Sequence, residues 1–198
     1  GGALSTGTLS AVSAAKKVGG NVDVLVIAND ASSVADQASK VDGVTRVLKA
    51  SGEGLDAGIA ETLTNVVLAC QSANSYSHIM TPASNYGKNF LPRVAAKLDV
   101  AQLSDVLAVE GEDTFLRPMY AGNAIAKVKS NDSVKVMTIR ATGFEKASPE
   151  GGSAAVEDAP AGDADGRVVF QSEERTKSDR PALESAKTVV SGGRGLKS

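Results

Sequence analysis

The chain has 198 residues, 42% of them hydrophobic, and a formal net charge of −2. That is enough for one packed domain of ordinary size plus a flank, without the basic surface that nucleic-acid binding requires. Aromatic residues make up only 4%, tryptophan is absent and Cys70 is the single cysteine, which argues against base-stacking platforms, excludes an internal disulfide and favours a reducing compartment.

Helix-like and strand-like segments alternate over the first half of the chain. The apolar spacing and the glycine, proline and asparagine breaks predict helices over residues 3–18, 31–41, 55–71 and 87–98, and strands over residues 22–28, 44–50 and 76–81. Strands that alternate with helices in this way are typical of an α/β layer fold with a parallel sheet. No apolar run reaches the length of a transmembrane helix.

The pattern changes after residue 101. Four strand-like segments, over residues 106–109, 114–120, 124–129 and 134–140, follow one another with short loops and no helix between them. Such a series predicts an antiparallel extension of the parallel sheet. Residues 147–166 are rich in Ala, Gly, Pro, Ser, Asp and Glu and are interpreted as a mobile loop or linker, and residues 167–174 are a candidate for one more strand.

The predicted fold is therefore α/β, with a mostly parallel sheet, helices on both faces and an antiparallel extension. Residues 1–175 are assigned to this domain, residues 176–185 to a linker that contains a proline stop, and residues 186–198 to the start of a truncated second α/β domain. The opening residues look like a loop before a helix, as if partway through a fold, so a targeting segment or a first strand of the domain is expected to precede them.

The closing segment, Val189-Val-Ser-Gly-Gly-Arg-Gly195, is typical of a buried strand that ends in a glycine-rich turn. Bare backbone N–H groups and the Arg194 guanidinium in such a turn suit a phosphate group. Neither the P-loop pattern nor the dinucleotide-binding fingerprint fits the spacing of these residues. From the residues alone, an anion-binding loop and a plain turn remain equally good interpretations.

Other candidate sites favour structural roles. The single histidine, His78, lies in a strand-like run, and without a second histidine or a cysteine pair a zinc site is not expected. Cys70 falls on the apolar face of a helix and is interpreted as a core residue. The turn Ser84-Asn-Tyr-Gly-Lys88 precedes a helix whose N-terminus, with Lys88, offers an anion site, although an ordinary turn with a solvated lysine is the favoured interpretation.

Several segments together resemble the α subunit of electron transfer flavoprotein. They are the polar connector Thr176-Lys-Ser-Asp-Arg-Pro181 with the closing residues 187–198, the helix Gly87-Lys-Asn-Phe-Leu-Pro-Arg-Val-Ala-Ala-Lys-Leu98, and the segment Asp113-Thr-Phe-Leu-Arg-Pro-Met-Tyr-Ala-Gly-Asn-Ala124. Their order and spacing are preserved along essentially the whole chain. Only the acidic loop 147–166 shows no resemblance of this kind.

The resemblance implies a subunit of a heterodimeric electron carrier rather than an enzyme. In this family one FAD is held mostly by the second domain of α with help from β, and AMP, where present, lies in β. The arginine of the Ser-Gly-Gly-Arg-Gly turn contacts FAD, which assigns cofactor binding to Arg194 alone. The first domain resembles the adenine-nucleotide α-hydrolase type of sheet with its nucleotide site vacant, which leaves it a mainly structural and subunit-contacting role.

The family also implies partners and a location. Electrons arrive from acyl-CoA and related dehydrogenases, as in fatty acid β-oxidation, and leave to a membrane-bound ubiquinone oxidoreductase, so the expected partners are these proteins and the β subunit. Neither nucleic acid nor direct membrane insertion is expected. The mitochondrial matrix is the favoured compartment, with the bacterial cytoplasm as the alternative.

Two other functions compete with the electron carrier. A nucleotide-binding or nucleotide-hydrolysing enzyme of similar fold would use the turn 85–88, with Asp30, Asp105 and Ser84 as the candidate chemical groups, although these form no recognisable set. A stand-alone regulatory module is the weaker alternative, because it leaves the strand at Val189 unexplained.

Overall fold

The computed structural model of the chain describes residues 2–174, 186 and 188–196. The helices are α1 (Thr6–Val18), α2 (Ser32–Ser39), α3 (Ala60–Asn74) and α4 (Asn85–Leu98). The strands are β1 (Asp23–Ala28), β2 (Arg46–Ser51), β3 (His78–Pro82), β4 (Gln102–Val106), β5 (Ala108–Val109), β6 (Thr114–Met119), β7 (Ala124–Lys129), β8 (Lys135–Ile139) and β9 (Ala155–Asp158). None of the helices in the described residues is long and apolar enough to cross a membrane.

The strands form three small sheets. Two are wholly parallel, in the orders β1-β2-β9 and β3-β8-β4, and the third is antiparallel, in the order β5-β6-β7. The predicted α/β class, mostly parallel with an antiparallel extension, is confirmed. Parallel strands covered on both faces need apolar side chains on both sides, which explains the continuous run Val24-Leu-Val-Ile27 in β1.

Alternate residues of the strands bury against different helices. Val24, Val26 and Val47 pack in one cluster with α1 and α2, while Leu25 and Ile27 pack in another with α3 and α4. A third cluster joins α1 to Phe115 of the antiparallel sheet and to Met137 of β8. Helices therefore cover both faces, as the sequence predicts.

Three details of the predicted second half are wrong. The strand-like segment 134–140 is not part of the antiparallel extension, because β8 lies between β3 and β4 and is parallel to both. The segment 106–109 divides between parallel β4 and antiparallel β5. The loop 147–166 contains β9, which pairs with β2 in parallel, and its Gly162 packs so closely that an added Cβ would lie 2.5 Å from the Val66 Cα.

Other boundaries need smaller corrections. The predicted helix 55–71 is a 3-10 turn, Leu55–Ala57, followed by α3, because Gly58 has a left-handed φ of 65° that an α-helix cannot accommodate. Residues 167–174 form no strand and are exposed. The predicted linker, residues 176–185, lies outside the described residues.

Candidate functional site

The glycine-rich turn at the end of the chain forms no strand at Val189 and Val190, which are 53% and 94% exposed. The prediction of a buried strand at these two residues is therefore wrong. No strand among the described residues pairs with them. A short 3-10 turn, Arg194–Leu196, follows, closed by a hydrogen bond of 3.0 Å from the Leu196 backbone N–H to the Gly193 carbonyl.

Arg194 is exposed in this turn and forms no ion pair with the described part of the chain. Gly193 and Gly195 on either side have nothing within 4 Å of an added Cβ. A ligand can therefore approach the backbone on both sides of an uncompensated guanidinium. A diphosphate group has the charge and the oxygen atoms that such a turn can bind.

The second predicted anion site, the turn 84–88, is an ordinary helix start. The Ser84 hydroxyl accepts a hydrogen bond of 3.2 Å from the Gly87 backbone N–H, so it caps α4 instead of facing a ligand. Lys88 is exposed on the first turn. The interpretation as helix capping with a solvated lysine agrees with this geometry.

Gly87 itself has a packing role that the sequence pattern did not reveal. A Cβ at this position would lie 2.4 Å from the Pro82 carbonyl oxygen and 2.8 Å from the Thr81 Cγ2. Only a glycine allows α4 to start this close to the end of β3. The glycine in the turn therefore fixes the helix on the sheet.

We expect Gly87→Ala to lower the free energy of unfolding by about 1–2 kcal/mol, because the overpacking penalty exceeds the gain in helix propensity. Gly111→Ala is the matched control, since nothing lies within 4 Å of its added Cβ, and it should change stability by less than about 0.5 kcal/mol. Urea unfolding measures both. Equal stability of the two variants would show that the helix start tolerates a side chain.

The residues proposed for a hydrolytic enzyme do not form a set. Asp30 accepts a hydrogen bond from the Ser32 backbone N–H, which lowers the pKa of its carboxyl group. Asp105 forms an ion pair with Arg140, and its carboxylate raises the pKa of that guanidinium. No hydrogen bond or ion pair joins Asp30, Asp105 or Ser84 to another of the three, and no group of three potential metal ligands occurs among the described residues.

His78 and Cys70 have the structural environments that the sequence predicts. The His78 Nε2 lies 2.6 Å from the Glu112 carbonyl oxygen and its Nδ1 lies 2.8 Å from the Ser77 hydroxyl, so both ring nitrogens have partners. Cys70 is 3% exposed on α3, and burial raises the pKa of its thiol. Neither environment is that of an activated catalytic group.

A polar cluster at the amino ends of the strands was missed by sequence reasoning. The Asp23 carboxylate accepts hydrogen bonds from Arg46 at 2.5 and 3.0 Å and from the Tyr76 hydroxyl at 2.7 Å. Arg46 also donates to Asn74 at 2.7 Å and to Glu157 at 3.3 Å. The only signal in the sequence is that Asp23 and Arg46 lie within two residues of the starts of the predicted strands 22–28 and 44–50, which does not reveal that the strands are neighbours.

The chain is similar to a known family over most of its length. The family model described as the electron transfer flavoprotein domain matches residues 1–164. The chain is 50% identical over 195 residues to the electron transfer flavoprotein subunit alpha of Pseudomonas aeruginosa, covering 98% of this chain and 62% of that protein.

Two mitochondrial relatives show the same relationship. The electron transfer flavoprotein subunit alpha of Dictyostelium discoideum is 47% identical over 208 residues, covering 98% of this chain and 59% of its own length. The probable subunit of Caenorhabditis elegans is 49% identical over 192 residues, covering 96% and 58%. The chain therefore spans about three fifths of the length of the curated relatives it matches, and the resemblance found in the sequence is confirmed.

Proposed function

Because the chain belongs to the electron transfer flavoprotein family, we propose that it forms part of the α subunit of a heterodimeric, FAD-containing electron carrier. The observation that carries this proposal is the match of the family over residues 1–164, supported by relatives named as alpha subunits at 47–50% identity. In this proposal the chain is a carrier subunit and has no substrate chemistry of its own.

Arg194 is the proposed contact of this chain with FAD. Its guanidinium has no charged partner among the described residues, and the flanking glycines leave its backbone open. When bound, the flavin supplies the ring system that accepts and releases electrons. The fixed positive charge of Arg194 would bind an anionic group of the cofactor and favour the reduced, more negatively charged state of a nearby flavin.

The partners follow from the same family assignment. We expect a β subunit that completes the FAD site and binds AMP where AMP is present. We expect acyl-CoA and related dehydrogenases as electron donors, and a quinone oxidoreductase as the acceptor. The mitochondrial matrix is the proposed location, supported by relatives from Dictyostelium discoideum and Caenorhabditis elegans whose names include the word mitochondrial, while the Pseudomonas aeruginosa relative keeps the bacterial cytoplasm as the alternative.

The test is an Arg194→Ala variant of the full-length α subunit assembled with β. We expect its dissociation constant for FAD to rise about 10- to 100-fold, because a hydrogen bond to a charged group contributes about 1.5–3 kcal/mol. The midpoint potential of the bound flavin should also fall. Fluorescence titration with FAD and a redox titration measure these two effects.

Two further variants control this experiment. Arg194→Lys keeps the charge but loses the two-pronged donor geometry, so its affinity should lie between those of the wild type and of Arg194→Ala. Arg167→Ala removes an exposed arginine that pairs with Asp165, two residues away, and should bind FAD as the wild type does. Unchanged affinity and potential in Arg194→Ala would contradict the proposed role.

A further inference from the structure

The hairpin of β6 and β7 extends beyond the core of the domain. Phe115, near the start of β6, is fully buried, but Met119 and Ile125 near the turn are 47% and 55% exposed. The last two cross-strand pairs before the turn are Pro118 with Ile125 and Met119 with Ala124. Because neighbouring residues of a strand point to opposite faces, these two pairs make the end of the hairpin apolar on both faces.

The turn that joins the two strands has a fixed and unusual backbone. Tyr120, Ala121 and Gly122 have left-handed φ angles of 51°, 53° and 87°, which a tyrosine rarely adopts. Asn123 holds this shape, because its backbone N–H and its side-chain amide both donate to the Tyr120 carbonyl, at 3.1 and 3.0 Å. The Tyr120 side chain is 84% exposed. The turn therefore presents a large aromatic ring to solvent from a defined position.

An open pocket of about 490 Å³ lies beneath this turn. It is lined by residues 117–122, by Asp105 of β4 and by Arg140, which directly follows β8. The pocket is therefore at the carboxyl ends of two parallel strands, where proteins of this class commonly bind ligands. Among the described residues, five non-glycine residues have a left-handed φ, and three of them, Asp105, Tyr120 and Ala121, line this pocket. Such backbone strain concentrates at functional sites.

Arg117 gives the pocket an uncompensated positive charge. Its Nε donates to the Ser104 carbonyl at 2.9 Å, which fixes the guanidinium, and it forms no ion pair within the described part of the chain. The other two cations of the hairpin, Lys127 and Lys129, each pair with a carboxylate. A fixed guanidinium of this kind suits a carboxylate, which it can bind through two parallel hydrogen bonds.

These features fit a partner protein better than a small molecule. A small molecule needs a concave site that buries most of its surface, whereas Met119 and Tyr120 at the edge of this pocket are exposed. Tyrosine, methionine and arginine are enriched at the centres of protein interfaces, and tyrosine and arginine often dominate the binding energy. A projecting end that is apolar on both faces fits a cleft, and Arg117 requires a carboxylate on the wall of that cleft.

The size of this surface indicates a transient partner. It is confined to residues 117–125 and the two side chains beneath them. A stable interface of standard size involves about 20–30 residues on each side, and permanent subunit interfaces are larger and more apolar. Complexes of electron-transfer proteins are among the smallest. The end of the hairpin therefore has the dimensions of an electron-transfer contact rather than of the interface with a permanent subunit.

We propose that residues 117–125 dock the electron acceptor of the carrier, which presents an apolar cleft with a carboxylate on its wall. This inference rests on the proposed function, in which the carrier has several donors and one acceptor, a quinone oxidoreductase. Surfaces that bind several different partners are adaptable, whereas this turn and Arg117 are held by hydrogen bonds. The fixed surface is therefore assigned to the single partner.

Electron transfer from the reduced heterodimer to the quinone oxidoreductase tests the proposal. The full-length α subunit is assembled with β, and the concentration of the heterodimer is varied. Tyr120→Asn removes the ring and keeps a residue type that tolerates the left-handed backbone, and Arg117→Gln removes the charge. We expect each variant to raise the KM for the heterodimer at least about 10-fold, with kcat unchanged, because the substitution weakens docking and not the electron-transfer step.

The dependence on salt separates the charge from the apolar contact. The KM of the wild type should rise with ionic strength, and this rise should be smaller in Arg117→Gln, because salt screens the pairing of Arg117 with the carboxylate of the acceptor. Ile125→Ser, on the opposite face of the hairpin, should raise the KM at every ionic strength. This exposed position also tests the proposal independently of any effect of Arg117→Gln on folding.

Lys127→Gln and Phe170→Ala are the matched controls. Lys127 is an exposed cation of the same hairpin that pairs with Glu110, and Phe170 is an exposed aromatic residue outside the hairpin. Both variants should keep the KM of the wild type. In every variant the FAD content, the elution of the heterodimer in gel filtration and the KM for reduction by an acyl-CoA dehydrogenase should be unchanged, since these depend on other surfaces.

Three results would overturn the proposal. The first is an unchanged KM for the oxidoreductase in Tyr120→Asn and Ile125→Ser. The second is loss of β or of FAD from these variants, which would place the hairpin in the subunit interface or at the cofactor. The third is a raised KM with the dehydrogenase alone, which would make this the donor surface. A wild-type heterodimer without FAD would instead contradict the proposed function, and the inference with it, before any variant is made.

Discussion

Phe115→Ala is expected to lower the free energy of unfolding of the chain by about 3–5 kcal/mol, the usual loss for a fully buried phenylalanine. Phe115 in β6 is 0% exposed and packs with Ala11 and Ala14 of α1 and with Ile139 of β8. Its ring also meets the His78 ring edge-on, with centroids 6.3 Å apart. One side chain thus attaches the antiparallel sheet to a helix and two strands of the parallel core.

The size of the effect follows from this position. Truncation removes the apolar contacts and leaves a cavity that the rigid strands around it cannot fill. A loss of 3–5 kcal/mol reduces the ratio of folded to unfolded molecules by more than about 100-fold, and it is a large part of the typical stability of a domain. The antiparallel sheet should become the first region to exchange its amides.

Chemical denaturation monitored by circular dichroism measures the effect. Phe170→Ala is the matched control, because this side chain is 49% exposed and follows the last strand of the domain, so it should change stability by less than about 0.5 kcal/mol. Similar losses in the two variants would mean that Phe115 does not hold the antiparallel sheet on the core.

The local pattern of the sequence was sufficient for most elements of the first half. Alternating helices and short apolar runs predicted α1, β1, α2, β2, β3 and α4 close to their observed bounds. These elements are determined by hydrophobic periodicity and by glycine and asparagine breaks, which are local signals. The resemblance to a family was equally visible, because it depends on residue identity along the chain.

Sequence reasoning failed where the structure depends on non-local pairing. The residues of β8 look like another hairpin strand. In the structure, however, β8 is the central strand of a parallel sheet, between β3 and β4. β9 is short, wholly exposed and embedded in small and acidic residues, so its sequence lacks the apolar pattern of a strand. Its pairing with β2 is visible only in the three-dimensional structure.

In the candidate site, too, local features could be predicted from the sequence and non-local contacts could not. Arg194 was found through a resemblance, and the described residues place it in an exposed turn without showing what it binds. The Ser84 turn was correctly interpreted as a helix start, since the capping pattern is local. The cluster around Asp23 was missed, because it depends on which strands lie side by side.

The second large effect is expected from Asp23→Ala, which removes the acceptor at the centre of the polar cluster. The Asp23 side chain is 11% exposed and the Arg46 side chain 30%. Without the carboxylate, the Arg46 guanidinium and the Tyr76 hydroxyl lose an acceptor in a partly buried site. Breaking a buried ion pair costs 3–5 kcal/mol, and the partial exposure of Arg46 reduces the expected loss to about 2 kcal/mol.

Two controls distinguish this cluster from an ordinary surface ion pair. Glu157→Gln removes the exposed partner of Arg46, whose carboxylate lies 3.3 Å away, and should cost less than about 0.5 kcal/mol. Asp23→Asn keeps the shape of the side chain and one acceptor oxygen, so its loss should lie between that of Asp23→Ala and zero. Denaturant unfolding of the three variants at neutral pH gives the comparison.

The pH dependence provides an independent check on the same cluster. Burial, together with the hydrogen bond to Asp23, raises the pKa of Tyr76 well above its ordinary value near 10. A group whose pKa is raised by folding stabilises the protein below its unfolded pKa, and that contribution is lost as the pH rises above it. The wild type should therefore lose stability above about pH 10, whereas Tyr76→Phe should lose less over the same range, because it has no phenol to ionise. An unfolding curve at pH 11 that falls equally in both proteins would show that Tyr76 is not held by the cluster.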